Sequence, residues 1–329
     1  MECPFQVEIL KDDCNRDQVF GSGAWGVVYK ATTHFELKSA SGFVTPPRSP
    51  ALLEPVLVAV KKPLRRDAVV ILQSEAQVLT HLMSVPDNRD YVVPFLGLFD
   101  ESSLVFQALP FSLEDHIKKC ASQSVSTWDM SEPVVGNSKK WLQLAHHTIS
   151  ALSWLHHEAG VVHGDIKPSN ILLSHTADGE TELGFLPLLA DFSSSLLLNA
   201  PEATPNTLSA VTREYTAPEL LSSAVLRDPK STPTTASDVF SMAVTLIVAA
   251  TGQTMVYPGS VFQRQAMATQ GWHVLDYTRN GVQGTRVPRQ GVVQRTLERA
   301  VLRAGMGRID AENWLQIVEE QMQGEPTKV

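Results

Sequence analysis

The sequence predicts an α+β fold in two lobes, a small β-rich N-lobe followed by a larger, mostly helical C-lobe. Two observations carry this. The first hundred residues hold short runs rich in β-branched and aromatic residues, broken by one helical segment. Beyond about Pro110 the apolar residues take up helical spacing.

In order, the strand-like runs are "QVFGSGAWGVVYKAT", "VLVAVKKP", "YVVPFLGLFD" and "SLVFQAL". The helical interruption is Ala68 to Met83, where Val70, Ile71, Ser74, Val78, Leu79 and Leu82 approximate one apolar stripe. In the second part, "KKWLQLAHHTISALSWLHHEAG" reads as an amphipathic helix ended by Gly160. "TTASDVFSMAVTLIVAATG" starts from a Thr/Ser/Asp cap and stops at Gly252. Its apolar run, Val239 to Ala250, is shorter than the about 20 residues a membrane span needs and reads as a buried helix. Three stretches read as surface insertions: residues 38–55, Cys120 to Lys139, and the polar turn His175 to Gly184. Residues 257–290 follow no assignable pattern.

The 329 residues, 43% hydrophobic and 19% charged, suit an ordinary globular protein. A net charge of -8 argues against nucleic acid or an anionic membrane as the main partner. Cys3, Cys14 and Cys120 show neither disulfide nor zinc spacing, and a reducing compartment fits them. With no secretory pattern in "MECPFQVEIL", the expected location is cytoplasmic or nuclear. The pairs His146/His147 and His156/His157 read as packing or solvent-facing groups rather than metal ligands.

Four stretches carry chemistry. In "GSGAWG", Gly21, Gly23 and Gly26 let backbone N–H groups approach phosphate oxygens, with Trp25 at the turn. Alone, this pattern also suits a plain hairpin or a dinucleotide fingerprint, although strand rather than helix follows. In "VAVKK", a Lys among aliphatic residues needs an anion, and Glu75 in the following helix offers one to Lys61. Alternation turns Lys62 to the opposite face. In "VVHGDIKPSNILL", Asp165 and Asn170 flank a tight loop containing Pro168, so both can turn toward one point. A carboxylate there can accept a hydroxyl proton, and an amide oxygen with a second carboxylate, Asp191 in "LLADFSS", can hold Mg²⁺. Lys167 can neutralise charge on a phosphate in flight.

Taken in order, Gly21/Gly23/Gly26, Lys61, Glu75, "HGDIKPSN", "DFS" and "APE" at Ala217 to Glu219 make the chain resemble a eukaryotic-type protein kinase over nearly its whole length. The resemblance implies a single two-lobed kinase domain over residues 1–329, with an N-lobe of about 1–106, a hinge at 107–109 and a C-lobe of 110–329. It implies ATP and Mg²⁺ as cofactors and protein substrates. It assigns the nucleotide to Gly21, Ser22, Gly23, Gly26, Val28, Ala59, Lys61, Glu75, Phe106 as gatekeeper, Gln107 and Leu109. Asn170 and Asp191 would bind the metal, and Asp165 would be the base, with Lys167 and Thr212 beside it. Lys167 and Thr212 in "TREYTAPE" match the Ser/Thr pattern. Asp238 resembles the Asp that braces the catalytic loop, and Arg308 the Arg that pairs with Glu219.

Two positions depart from the family. Gly164 stands where an Arg usually precedes the catalytic Asp, so the receiver for a phosphorylated activation segment is missing. Ser193 replaces the Gly after Phe192, which disfavours φ > 0 there. Hydroxyls from Ser193 to Thr216 read as a polar, mobile loop. The alternatives are a pseudokinase scaffold, suggested by these two departures, and a small-molecule phosphotransferase, against which Thr212 and "APE" argue. A regulatory partner docking on the C-lobe through residues 257–290 is a further expectation.

Overall fold

The structure is a computed structural model that describes residues 3, 6–34, 55–123, 130–176, 182–198, 212–228 and 230–324. It separates into two compact units, Met1–Thr80 with Pro94–Ala108, and His81–Val93 with Leu109–Val329.

The N-terminal unit is an antiparallel sheet of β1 (Val7–Ile9), β2 (Val19–Ser22), β3 (Gly26–His34), β4 (Pro55–Pro63), β5 (Phe95–Phe99) and β6 (Ser103–Gln107). The strand order is β1-β3-β4-β6-β5, with β2 on β3. Alternation along β4 sends Val58 and Val60 into a core with Ala31 and Val105, covered by Val7, Ile9 and Leu96. Ala59 and Lys61 therefore face the other way, as does every residue paired with them. Lys62 returns to the Val60 face and reaches Asp100 at 3.7 Å. The inserted residues 38–54 lie outside the described residues.

Helix α1 (Ala68–Leu82) covers the predicted segment, but its buried face differs from the expected stripe. Val70 is 56% exposed, whereas Ala68, Leu72, Glu75, Ala76, Val78, Leu79 and Leu82 are buried. The buried face carries a Glu at its centre, which an apolar count leaves out.

The C-terminal unit begins with the short α2 (Asn88–Tyr91), followed by α3 (Leu113–Gln123) and α4 (Ser138–His157). Then come β7 (Val161–Val162), β8 (Ile171–His175), β9 (Phe185–Leu189) and β10 (Leu196–Leu197). Helices α5 (Ser223–Arg227), α6 (Thr235–Thr251), α7 (Val261–Ala268), α8 (Val274–Arg279), α9 (Val292–Leu297) and α10 (Ala311–Gly324) complete it. Strands β8 and β9 form an antiparallel hairpin, and β7 pairs with β10.

Helix α6 is the centre of this unit, buried continuously from Ser237 to Thr251. Thr234 is its cap, in a reciprocal capping box with Ser237, and Gly252 at φ +74° ends it. The Trp141 indole of α4 donates to Leu246 O of α6 at 3.0 Å, which fixes the two helices in register. Helix α10 packs on α4, and its fully buried Trp314 donates to Thr296 O at 2.7 Å.

Two further expectations are corrected. Cys120 to Lys139 is no passive surface insertion throughout: α3 continues to Gln123, and Val134 and Val135 are buried, with Val134 N donating to Ala250 O. Residues 124–129 lie outside the described residues. Residues 257–290, unassigned from sequence, form α7, α8 and two 3₁₀ turns at Gly271–His273 and Gly284–Arg286. Each piece is too short to show helical periodicity. Among the described residues, no helix is long and apolar enough to cross a membrane.

Trp314→Ala would remove a fully buried indole and orphan Thr296 O. It is expected to cost about 3–5 kcal/mol, read from the urea midpoint of unfolding.

Candidate active site

In the N-terminal unit, Gly23 N donates to Gly26 O at 2.8 Å and closes the β2–β3 turn. A Cβ at Gly26 would meet Lys62 O at 2.8 Å, so β3 and β4 approach too closely there for any side chain. Gly21 has open space around it, and Gly23 almost as much, which leaves this backbone accessible to a phosphate. The Arg65 guanidinium lies 5.5 Å from the Trp25 ring, and Leu64 N donates to Trp25 O. Trp25 thus ties the turn to the chain after β4.

The register puts four of the predicted nucleotide residues on one face of the sheet. Val28 pairs with Lys61, and Ala59 with Phe106. Ser22 ends β2, and Gln107 ends β6 opposite Val58, on the other face from Phe106. Lys61 Nζ meets Glu75 at 2.7 and 2.9 Å, with the two side chains 9% and 1% exposed. The expected strand-to-helix ion pair is therefore made, and both charges are compensated where isolation would be costly.

In the C-terminal unit the polar cluster hangs on Asp238, in the first turn of α6 and 1% exposed. Its Oδ2 accepts from His163 N at 2.7 Å and from His156 Nε2 at 3.1 Å, while Oδ1 accepts from Gly164 N at 2.9 Å. Charge-assisted bonds of this kind to backbone amides are among the stronger ones available. His163, fully buried, carries the constraint onward. Its Nδ1 accepts from Asp165 N at 3.3 Å, so Nε2 holds the proton and donates to Ala190 O at 3.1 Å. One ring thereby links the backbone of Asp165 to the residue before Asp191.

Asp165, Lys167, Asn170 and Thr212 converge. Lys167 Nζ donates to Asp165 Oδ2 at 2.6 Å and to Thr212 Oγ1 at 2.9 Å, and the Thr212 hydroxyl donates to Asp165 Oδ1 at 3.3 Å. Asn170 Nδ2 donates to Asp165 O and Oδ2 at 2.8 and 3.1 Å, which turns its carbonyl oxygen away from Asp165. The 3₁₀ turn Pro168–Asn170, opened by Pro168, makes this possible, and Ala190 N donates to Asn170 O. Burial holds the Asp165 carboxyl above the usual aspartate range against the opposing pull of Lys167, with Asp191 adding to the rise.

Asp191 does not lie within β9, which ends at Leu189. It follows two residues later with φ +63°. Its carboxylate and the Asn170 amide oxygen are hard oxygen donors, the set Mg²⁺ takes when phosphates and water complete its shell. Among the described residues no group of three or more His, Cys, Asp or Glu is placed to hold a metal ion. Of the histidine pairs, buried His156 bonds Asp238, His146 lies 3.7 Å from the half-exposed Glu319, and His157 is exposed.

Comparison with known proteins decides the family. The sequence model of the protein kinase domain matches residues 54–290. The chain belongs to the protein kinase family. A serine/threonine-protein kinase of Saccharomyces cerevisiae, ISR1, is 32% identical over 196 residues, covering 54% of this chain and 40% of the relative. The rice U-box domain-containing protein 70 is 29% identical over 266 residues, 77% of this chain and 27% of that protein. An Arabidopsis thaliana serine/threonine-protein kinase-like protein, At5g23170, is 26% identical over 213 residues, 64% and 57% of the two chains. The kinase chain thus spans about a quarter to somewhat over half of these relatives' lengths.

The structure adds a steric reason for Gly164. Its φ is +81°, and a Cβ would lie 2.3 Å from Ser194 O and 3.1 Å from Pro233 Cγ. The chain after Asp191 occupies the room a side chain at 164 would need. Ser195 Oγ donates to His163 O at 2.9 Å, Leu198 N donates to Gly160 O, and β10 pairs with β7. Ser194 and Ser195, expected on a mobile loop, are instead 2% and 3% exposed, while Thr204, Thr207 and Ser209 lie outside the described residues. Hydroxyl-rich composition hides this packing, because the bonds are to backbone atoms distant in sequence. Further along, Glu219 pairs with Arg308 at 2.6 and 3.1 Å, as the resemblance implies.

Gly164→Arg, which restores the family's usual residue, is expected to lower the melting temperature and the transfer rate rather than raise them. Thermal unfolding and phosphate transfer read the two effects. Glu75→Gln removes the carboxylate from the buried Lys61–Glu75 pair, at a cost of about 3–5 kcal/mol by chemical denaturation.

Proposed function

We propose that this kinase is catalytically active and transfers the γ-phosphoryl of ATP to Ser or Thr hydroxyls of protein substrates, with a domain reaching beyond the matched residues to the Gly21–Gly26 turn. The convergence of Asp165, Lys167, Asn170 and Thr212 on one point, held from Asp238, carries this reading. Lys61, set by Glu75, grips the α- and β-phosphates, and the Gly21, Ser22, Gly23 and Gly26 backbone covers them. Val28, Ala59 and Phe106 receive the adenine, and Gln107 to Leu109 offer it backbone groups. Mg²⁺, held by Asn170 and Asp191, supplies charge neutralisation on the phosphates.

Asp165 then orients the substrate hydroxyl and accepts its proton as the new O–P bond forms and the bond from the γ-phosphorus to the β,γ-bridging oxygen breaks, with ADP as the leaving group. Lys167, already at 2.6 Å from Asp165, moves its charge to the transferring phosphoryl group. Thr212 holds Lys167 and belongs to the segment that presents the peptide. Lys167 and Thr212 together support Ser/Thr over Tyr. The scaffold alternative draws on Gly164 and Ser193, but both fit their surroundings without displacing Asp165, Asn170 or Asp191. With no room for an Arg at 164, the activity is independent of a phosphate received there. A protein partner on the C-lobe completes the reading, supported by α7, where Val261 and Phe262 are 60% and 81% exposed.

Transfer from labelled ATP with Mg²⁺ to a generic protein and to the kinase itself tests the proposal. Asp165→Asn is expected to reduce it by roughly 10²- to 10⁴-fold with ATP binding retained, and an inactive wild type that binds ATP would favour a scaffold. Because the base works deprotonated and its pKa is raised, activity should fall with decreasing pH at a midpoint above that of an ordinary aspartate. Lys167→Ala, which removes a group that lowers this pKa, should move the acid limb of the kcat profile to still higher pH.

A further inference from the structure

Ser193 has no part in the machinery described so far, yet its Oγ donates to Asp191 Oδ1 at 2.8 Å. The backbone around Asp191 is held on both sides. Ala190 N donates to Asn170 O at 2.9 Å, and Ala190 O accepts from His163. Phe192, 2% exposed, packs 4.8 Å from the His163 ring, and Ser195 N donates to Phe192 O at 3.1 Å. Asp191 itself sits at φ +63°, a conformation a non-glycine residue keeps only when its surroundings enforce it. With the main chain fixed, the direction of the carboxylate depends on rotation about its side-chain bonds. A hydrogen bond from the residue two positions on restricts that rotation.

We infer that Ser193 is a positioning residue for the metal, its hydroxyl holding the Asp191 carboxylate in the orientation that receives Mg²⁺. The inference rests on reading Asp191 as a metal ligand. An ionised carboxylate offers about four lone-pair directions, of which the Ser193 hydroxyl takes one. Outer hydrogen bonds that orient ligating groups are worth about 10- to 100-fold in metal affinity. The replacement of Gly by Ser after Phe192 thus adds a group that Gly cannot supply, rather than marking decay of the site.

The test is Mg²⁺ titration of the binding of a fluorescent ATP analogue to the full chain, with parallel measurement in EDTA, so that no turnover is needed. Ser193→Ala and Ser193→Gly are expected to require about tenfold more Mg²⁺ for half-maximal binding, with affinity in EDTA unchanged. Ser193→Thr, which keeps the hydroxyl, should stay near wild type. Ser193→Gly keeps the experiment decisive if Ser193→Ala folds poorly. Asp191→Asn separates the two layers. If it shifts the Mg²⁺ midpoint while Ser193→Ala and Ser193→Gly do not, the positioning role fails and the metal reading stands. If Asp191→Asn leaves the midpoint unchanged, the metal reading fails and takes the role of Ser193 with it. An equal loss of affinity in EDTA for the Ser193 variants would make the residue a general packing element and also overturn the inference.

Discussion

The polar loop of the C-terminal unit depends on one buried carboxylate. Asp238 is withdrawn from water and answers for that cost by accepting two main-chain N–H groups, from His163 and Gly164, and the His156 ring. These bonds set the backbone entering the loop, and everything after it inherits the setting. Asp165 is placed through the His163 ring, and Asn170 through Asp165 and Ala190. Because α6 is buried along its length and capped at both ends, Asp238 has almost no freedom to follow a moving partner. The rigidity of an apolar helix is in this way passed to a polar loop.

The two departures from the family belong to this same chain of constraint. A positive φ at Gly164 brings the carbonyl of Ser194 against its Cα, and Ser195 bonds to His163 O. Close backbone contact and the Ser195 hydroxyl hold this segment against the loop. The segment after Asp191 is therefore ordered where it leaves the site without any added charge.

Much of this was legible in the sequence, for a physical reason. Lys61, Glu75, Asp165, Asn170, Asp191 and Asp238 are charged or polar groups set among aliphatic residues, and such placement is costly unless they serve one another or a ligand. The fold class was legible because the apolar period changes from two to 3.6 along the chain. Less legible were features decided by packing. Val70 fits an apolar count but faces out, while Glu75, which such a count leaves out, lies on the buried face. Val134 and Val135 are buried, and Val134 N donates to Ala250 O of α6, more than a hundred residues away. Ser195 looked like an ordinary loop hydroxyl and Ser193 like a change in backbone freedom alone, since nothing in sequence shows that their acceptors are His163 O and Asp191 Oδ1. The 3.3 Å bond to His163 Nδ1 that links Asp165 to Ala190 was equally hidden.

The Arg308–Glu219 pair differs in kind from the surface pairs of this kinase. The Arg308 side chain is 1% exposed, stands 5.1 Å from the Phe240 ring, and also donates to Ala236 O and Leu302 O. By contrast, Lys139–Glu182 and Lys118–Glu114 stand in solvent, with more than half of each Lys exposed. Mobile ions screen solvent-exposed charges over a Debye length of about 8 Å at physiological ionic strength, but reach a buried guanidinium poorly. Added salt therefore loosens the periphery first and leaves the Glu219–Arg308 anchor in place, so that the chain around Ala217 to Glu219 keeps its shape in brines that dissolve the outer ion pairs.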